Sequence, residues 1–152
     1  MDLALEVEGG SLVSASSYDM RHPPENIIDG KDSTFWSTTG GFPQEAIIKL
    51  KDTAGVSIQT ITTVTTNVRR LEIEKSQGPG ASRWEPVYST VLDDTEGDIQ
   101  LHSQSVRGVE SSHIKIKLTS GWGEHASVHR VSVLGKLTGP VSTSGRPAAY
   151  RD

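Results

Sequence analysis

Apolar residues recur along this chain at every second position. Leu3, Leu5 and Val7 alternate with Ala4, Glu6 and Glu8, and Leu71 and Ile73 alternate with Glu72 and Glu74. Ile114, Ile116 and Leu118 alternate with Lys115, Lys117 and Thr119. A period of two sends successive side chains to opposite faces, so each run reads as a strand with one buried and one wetted side. Ile58 to Thr66 is rich in Ile, Val and Thr, whose branched Cβ suits a pleated sheet. Further strands are predicted over Leu12 to Ser16, Glu45 to Leu50, Trp84 to Val91, Gly97 to His102 and Val128 to Gly135, and a buried strand starts at Phe35-Trp36-Ser37-Thr38. Turn residues separate them at Gly9-Gly10, Gly40-Gly41, Asp52 to Gly55, Gly78-Pro79-Gly80, Glu96-Gly97 and Gly121-Trp122-Gly123. About nine short strands without a long helical period predict an all-β protein, a β-sandwich or jelly roll.

The pattern stops after Lys136. Residues 137–152 are rich in Gly, Pro, Ser and Thr and carry no apolar period, so the chain divides into a domain over 1–136 and a flexible tail. The alternative is a segment that orders on a partner.

Composition narrows the classes. With 152 residues the chain buries one sizeable core, and 34% hydrophobic and 22% charged residues are ordinary for a globular protein. A formal net charge of −4 argues against nucleic acid or an anionic membrane as the main partner. There is no Cys, hence neither a disulfide framework nor a thiolate metal site. The first residues lack a basic-then-apolar signal pattern, no apolar run approaches membrane-spanning length, and Asn26 and Asn67 do not open glycosylation sequons. These features read as cytoplasmic.

Candidate chemistry concentrates in His22 to Ser37. Pro23 and Pro24 stiffen the entry, Asp29-Gly30 signals a turn, and Asp29, Asp32 and Thr34 crowd oxygens around it. An oxygen-rich loop beside a buried Phe35-Trp36 strand suits a hard cation. The other reading is an Asx-turn, in which Asp29 caps its own backbone. An EF-hand requires a closing Glu at the twelfth position, which counted from Asp29 is Gly40, so this loop is not one.

Other constellations are weaker. His125 and His129 are spaced as a helical zinc pair, but a strand spreads four residues over roughly 13 Å, too far to share a metal. No Gly-x-Ser-x-Gly elbow or phosphate-binding Gly-rich loop occurs, and Asp93-Asp94 sit in a hydrophilic turn. Trp122, between two glycines, is either an exposed stacking residue or a lid over the end of the sandwich. Arg69-Arg70 reads as a solvated edge or a partner contact. Nothing here announces an enzyme.

Asn26-Ile27-Ile28-Asp29-Gly30, followed by Thr34-Phe35-Trp36-Ser37, resembles the first signature of discoidin-type (coagulation factor C-type, galactose-binding-like) jelly rolls, and Val128 to Gly135 resembles their closing strand. Within that superfamily, His22 to Gly30, Thr34-Phe35-Trp36, Thr38-Thr39-Gly40, Phe42-Pro43-Gln44-Glu45, Leu71-x-Ile73-Glu74-Lys75-Ser76 and Ala126-Ser127-Val128-His129 occur together and in order. That combination is similar to the small discoidin-like subunits of the intraflagellar transport B complex, sometimes grouped with small heat-shock proteins. It spans about residues 1–136.

The resemblance implies a non-enzymatic adaptor that forms a heterodimer with a Rab-like small GTPase subunit, joins other B-complex subunits and supports transport of ciliary cargo. It implies residence in cilium or flagellum and in cytoplasm near the basal body. It also implies one structural calcium ion, held by the Asn26 carbonyl, the Asp29 carboxylate, Asp32, and the Thr34 hydroxyl and carbonyl. A last ligand is expected from the closing strand. Related jelly rolls often place a Glu where this chain has Arg130, so a backbone oxygen near His129 is expected to substitute. A second class is a calcium-stabilised module for carbohydrate or phospholipid, which usually travels with disulfides this chain lacks. A small-heat-shock chaperone is a third, without the expected Ile-x-Ile/Val motif in the tail.

Overall fold

The computed structural model describes residues 1–51, 56–78 and 81–137. The turns placed at Asp52 to Gly55 and Pro79-Gly80, and the tail from Thr138 onward, lie outside the described residues. Nine strands are present among those described: β1 (Ser11–Ala15), β2 (Trp36–Ser37), β3 (Gln44–Lys49), β4 (Val56–Thr66), β5 (Val68–Ser76), β6 (Glu85–Val91), β7 (Gln100–Glu110), β8 (His113–Gly121) and β9 (Ser127–Leu137). They form two antiparallel sheets, one in the order β1-β3-β8-β5-β6 and the other β2-β9-β4-β7. This is the predicted sandwich. Among the described residues no helix is long and apolar enough to cross a membrane.

The period-two runs explain the core. Across β3, β8 and β5 the pairs Ala46–Ile116, Ile48–Ile114, Leu71–Leu118 and Ile73–Ile116 stand side by side with their side chains fully buried. Ile61 and Val133 meet across β4 and β9 and supply the facing layer, with Trp36 buried beside them. Full burial of each such Ile, Leu or Val side chain contributes about 1.5–3 kcal/mol. The residues in between line the outer face of the larger sheet as alternating charges. Lys115 lies 3.8 Å from both Glu45 and Glu74, and Lys117 lies 3.6 Å from Glu74. Partly solvated pairs of this kind contribute about 0.2–1 kcal/mol each.

Two expectations are corrected. The alternation over Leu3, Leu5 and Val7 does not make a strand. Asp2 forms a single bridge to Leu134, and the Leu3 N–H donates to the Val133 carbonyl. The chain then winds into a 3-10 turn, Glu6–Glu8, that leaves Val7 exposed. Gly9 at φ +110° turns the backbone back, and the Gly10 N–H closes onto the Leu5 carbonyl. Only Leu3 and Ala4 reach the core. The strand placed at Gly97 to His102 starts three residues later and runs to Glu110. Glu96 and Gly97 hold left-handed turn conformations, and the Ser/Gln-rich stretch after His102 has no apolar period to betray it.

A buried polar cluster closes one end. The Ser112 hydroxyl lies 2.9 Å from the carbonyls of Ser76 and Gly78 and 2.8 Å from His113 Nδ1. A hydroxyl has one proton, so a neutral His113 donating Nδ1–H to Ser112 Oγ frees that proton for a carbonyl. Burial, and secondarily the charge of Lys49, holds the His113 pKa below the usual imidazole value. Protonation therefore favours the unfolded chain. This contribution to stability is complete above the ordinary histidine pKa and is lost as pH falls from there toward the depressed folded value. His113→Asn, which keeps a donor without titrating, is expected to flatten that acid limb relative to wild type, by at most about 1.4 kcal/mol per pH unit. Urea melts from pH 7 to pH 5 measure it, and parallel slopes would exclude this role.

Candidate functional site

The Pro-rich segment folds as its residues dictate. Pro24 opens a 3-10 helix, Pro24–Ile28, whose missing N–H is an orphan donor position in any case, and Ile27 and Ile28 bury completely or nearly so. Sequence reading left this stretch as a loop, because five residues are too few for a helical period to register. Asp29 ends the helix, with its N–H 3.3 Å from the Asn26 carbonyl, and Gly30 at φ +82° reverses the chain.

Asp29 forms the Asx-turn and also reaches Thr34. Its Oδ1 accepts the Lys31 N–H at 2.8 Å, which is an Asx-turn, while its Oδ2 accepts the Thr34 hydroxyl at 2.5 Å. The Asn26 side-chain amide donates to the Phe35 carbonyl at 2.9 Å, tying helix to strand. Phe35 stacks on His22 with ring centroids 4.1 Å apart and is flanked by His129 at 5.0 Å. Beyond it, Trp36 anchors the loop by donating Nε1–H to the Ser17 carbonyl.

Asp32 has different company. Its carbonyl lies 2.7 Å from His129 Nδ1, and its carboxylate accepts from Arg130 Nε at 2.7 Å. Arg130 Nη1 also donates to Ser132 Oγ at 2.7 Å. Successive residues of a regular strand face opposite ways. Here the β4–β9 register shifts between Val64 and Thr65, opposite Arg130 and Val128, which makes His129 the extra residue of a bulge. The bulge lets His129 and Arg130 both turn to the same loop. Arg130 as the partner of Asp32 was not legible in the sequence, since nothing local signals a bulge.

The candidate residues thus fall into two groups. The Asp29 carboxylate and the Thr34 hydroxyl meet in one hydrogen bond, and the Asn26 carbonyl accepts the Asp29 N–H; these are oxygens of the kind a calcium ion accepts. Asp32 is engaged with His129 through its carbonyl and with Arg130 through its carboxylate, and the Arg130 guanidinium supplies the positive charge that Asp32 faces. Among the described residues no three His, Cys, Asp or Glu side chains are grouped to hold a metal. His125 is exposed in the loop before β9, while the ring of His129 is taken by Asp32 and Ser127. Trp122 folds back over the sandwich end: its Nε1–H donates to the Leu92 carbonyl at 2.9 Å and the Arg69 guanidinium lies 5.2 Å above its ring.

The fold and the loop define a class. The F5/8 type C domain family matches residues 12–132. Two solved sugar-binding structures share the architecture. One is the family 32 carbohydrate-binding module of Clostridium perfringens NanJ in complex with galactose, with a TM-score of 0.72 at 18% identity, covering 87% of this chain and 97% of that one. The other is the chitosan-binding module 2 of a Paenibacillus sp. IK-5 chitosanase/glucanase in complex with chitotriose, with a TM-score of 0.75 at 21% identity, covering 88% and 100%. At that identity the likeness is one of fold. Sequence relatives are more specific. Intraflagellar transport protein 25 of Chlamydomonas reinhardtii is 42% identical over 134 residues, 88% of this chain and 69% of that protein. Its human homolog is 36% identical over 143 residues, 94% of this chain and 98% of that protein. The chain belongs to the intraflagellar transport protein 25 family, and so to the proteins of intraflagellar transport in cilia and flagella.

The two groups of contacts differ in weight. The Thr34–Asp29 bond is partly buried and its acceptor is charged. The Arg130–Asp32 pair is more open, with 28% and 53% of the two side chains exposed. Thr34→Val is expected to cost about 1–2 kcal/mol in chelator, and Arg130→Ala about 0.2–1 kcal/mol. Denaturant midpoints test the order, and an equal or reversed pair of losses contradicts it.

Proposed function

We propose that the chain is a non-enzymatic adaptor subunit of the intraflagellar transport B complex, which pairs with a Rab-like small GTPase subunit and supports transport of ciliary cargo. The observation that carries this reading is the identity to intraflagellar transport protein 25 relatives over nearly the whole chain. The geometry favours it over a carbohydrate or phospholipid module. Trp122, the loop aromatic best suited to stack on a sugar, is tied down by Leu92 and Arg69. Co-expression with the GTPase subunit is expected to give a one-to-one complex by size-exclusion chromatography with light scattering. Separate elution at micromolar concentration would sink the proposal.

The same reading includes one structural calcium ion. The expected donors are Asn26, Asp29 and Thr34, of which Asp29 and Thr34 are joined by a hydrogen bond between oxygens that the ion would share. Asp32 and the backbone at His129 complete the expected set, with the Asp32 carboxylate available only when Arg130 releases it. The ion's chemistry here is charge neutralisation, not catalysis. With calcium a hundredfold above its dissociation constant, linkage stabilises the fold by about 2.7 kcal/mol. Asp29→Ala is expected to abolish the difference in melting temperature between calcium and chelator. If wild-type protein melts identically in both and calorimetry shows no heat of binding, the loop is an Asx-turn alone.

A further inference from the structure

On the side of the sandwich away from β1 and β2, both sheets end in strands paired on one edge only, β6 in one and β7 in the other. Where the end of β6 passes into the start of β7 lies a groove of about 300 Å³, lined by Thr90, Val91, Asp93, Gln100, Leu101 and His102 among others. Three features set it apart from the rest of the surface.

Its rim is apolar where solvent would favour polar residues. Of its lining residues Leu101 is 69% and Val91 53% exposed, and Ile99, two residues before Leu101, is 49% exposed. Singly, exposed apolar residues need no explanation, but a cluster beside a groove marks a contact surface.

Its connecting loop is acidic, and the arginines nearest it, Arg69 and Arg70 on β5, are held over Trp122 and against Ser89. Asp93, Asp94, Glu96 and Asp98 are all exposed in the β6–β7 connection, and no Lys or Arg occurs between Arg83 and Arg107. Among the described residues, none of these four acids forms an ion pair; elsewhere, Glu45, Glu72 and Glu74 are paired across their sheet.

Its strand edge is unprotected. Exposed edges are usually blunted by Lys, Pro or a bulge. In β7 those devices sit only in the second half, where Arg107 and Gly108 (φ +85°) coincide with the register shift opposite Ile58 and Thr60. From Gln100 to Val106 the edge is flat and neutral, without charge or Pro. The floor beneath is rigid. Buried Gln100 accepts from Thr65 and the Val68 N–H and donates to the carbonyls of Val68 and Asp93.

We infer that this groove is a docking surface for an extended segment of a partner protein that carries apolar and basic side chains. The segment's backbone pairs with the open edge of β7, its apolar residues cover Val91, Ile99 and Leu101, and its Lys or Arg residues meet the four acids. A second copy of this chain fits poorly, because two such rims would place acid against acid. The inference rests on the reading that the chain works as a subunit bound to a GTPase partner, and assigns that partner its surface.

The test uses the full chain and the co-expressed GTPase subunit, with binding followed by calorimetry at two salt concentrations. Leu101→Glu changes an exposed side chain and is expected to leave folding intact while weakening the complex at least tenfold. Replacing Asp93, Asp94, Glu96 and Asp98 by their amides Asn, Asn, Gln and Asn is expected to weaken it and to flatten its salt dependence. Val7→Glu, an exposed change on the N-terminal turn, is expected to bind as wild type. If the wild-type complex forms and Leu101→Glu matches it, the groove is not the interface and this inference is overturned while the partnership stands. If the wild type does not bind the GTPase at all, the partnership falls and the inference with it. A homodimer of the chain alone that Leu101→Glu dissolves would assign the groove to a second copy and likewise overturn it.

Discussion

The antiparallel pairing of β9 with β4 is the constraint on which the rest of this structure depends. β9 runs from Ser127 to Leu137 and pairs with β4 along most of its length, while its first residues also pair with β2. Its inward residues Val128, Val131 and Val133 are part of the core, and its backbone receives the N-terminal segment at Val133 and Leu134. Gly135 permits that crossing. A methyl group there would overlap the Ser57 carbonyl and press on Leu3. Of the two irregularities in the pairing, the one at His129 aims two side chains at the Asp29–Thr34 loop, so the register of β9 positions the candidate metal loop as well as the core.

Charge is distributed according to the same architecture. The wider sheet turns a lattice of Lys115, Lys117, Glu45, Glu72 and Glu74 to solvent, which keeps that face soluble and internally satisfied. Trp84 lies over Lys115 with the ammonium 4.4 Å from the ring centroid and adds an apolar cover to the same face. The opposite situation holds at the β6–β7 side, where apolar groups are exposed and, among the described residues, Asp93, Asp94, Glu96 and Asp98 form no ion pair. A protein that acts by binding others has reason to keep one surface quiet and another unsatisfied.

The Asp29–Thr34 loop is held by two kinds of contact. Asp29 caps its own turn through one carboxylate oxygen and holds Thr34 through the other. Both bonds are local and both keep oxygens close together. Arg130 then balances the second carboxylate with a side-chain charge. The loop is therefore ordered by hydrogen bonds and an ion pair in its own right, and a bound cation would add to a scaffold already in place.

Much of the fold was legible in the sequence. Period-two alternation over Leu71–Glu74 and Ile114–Thr119, the β-branched run from Ile58 and the turn glycines together specify an antiparallel sandwich, because side-chain alternation and burial on one face are local consequences of composition. The Asp29-Gly30 turn and its Asx contact were equally local. What the sequence could not decide was every feature that depends on a distant partner. Alternation at Leu3 to Val7 gave no strand because neighbouring backbone was available only at Asp2 and Leu3. The second half of β7 had no apolar signal because its place is set by hydrogen bonds to β4. The turning of His129 and Arg130 toward Asp32 followed from a bulge in the register of two strands some sixty residues apart in the chain. The groove between β6 and β7 exists because each closes a different sheet. Local patterns determined which residues became strands and turns; which strand edges were left open, and which charges found a partner, was decided by tertiary packing alone, since both depend on what lies across space rather than along the chain.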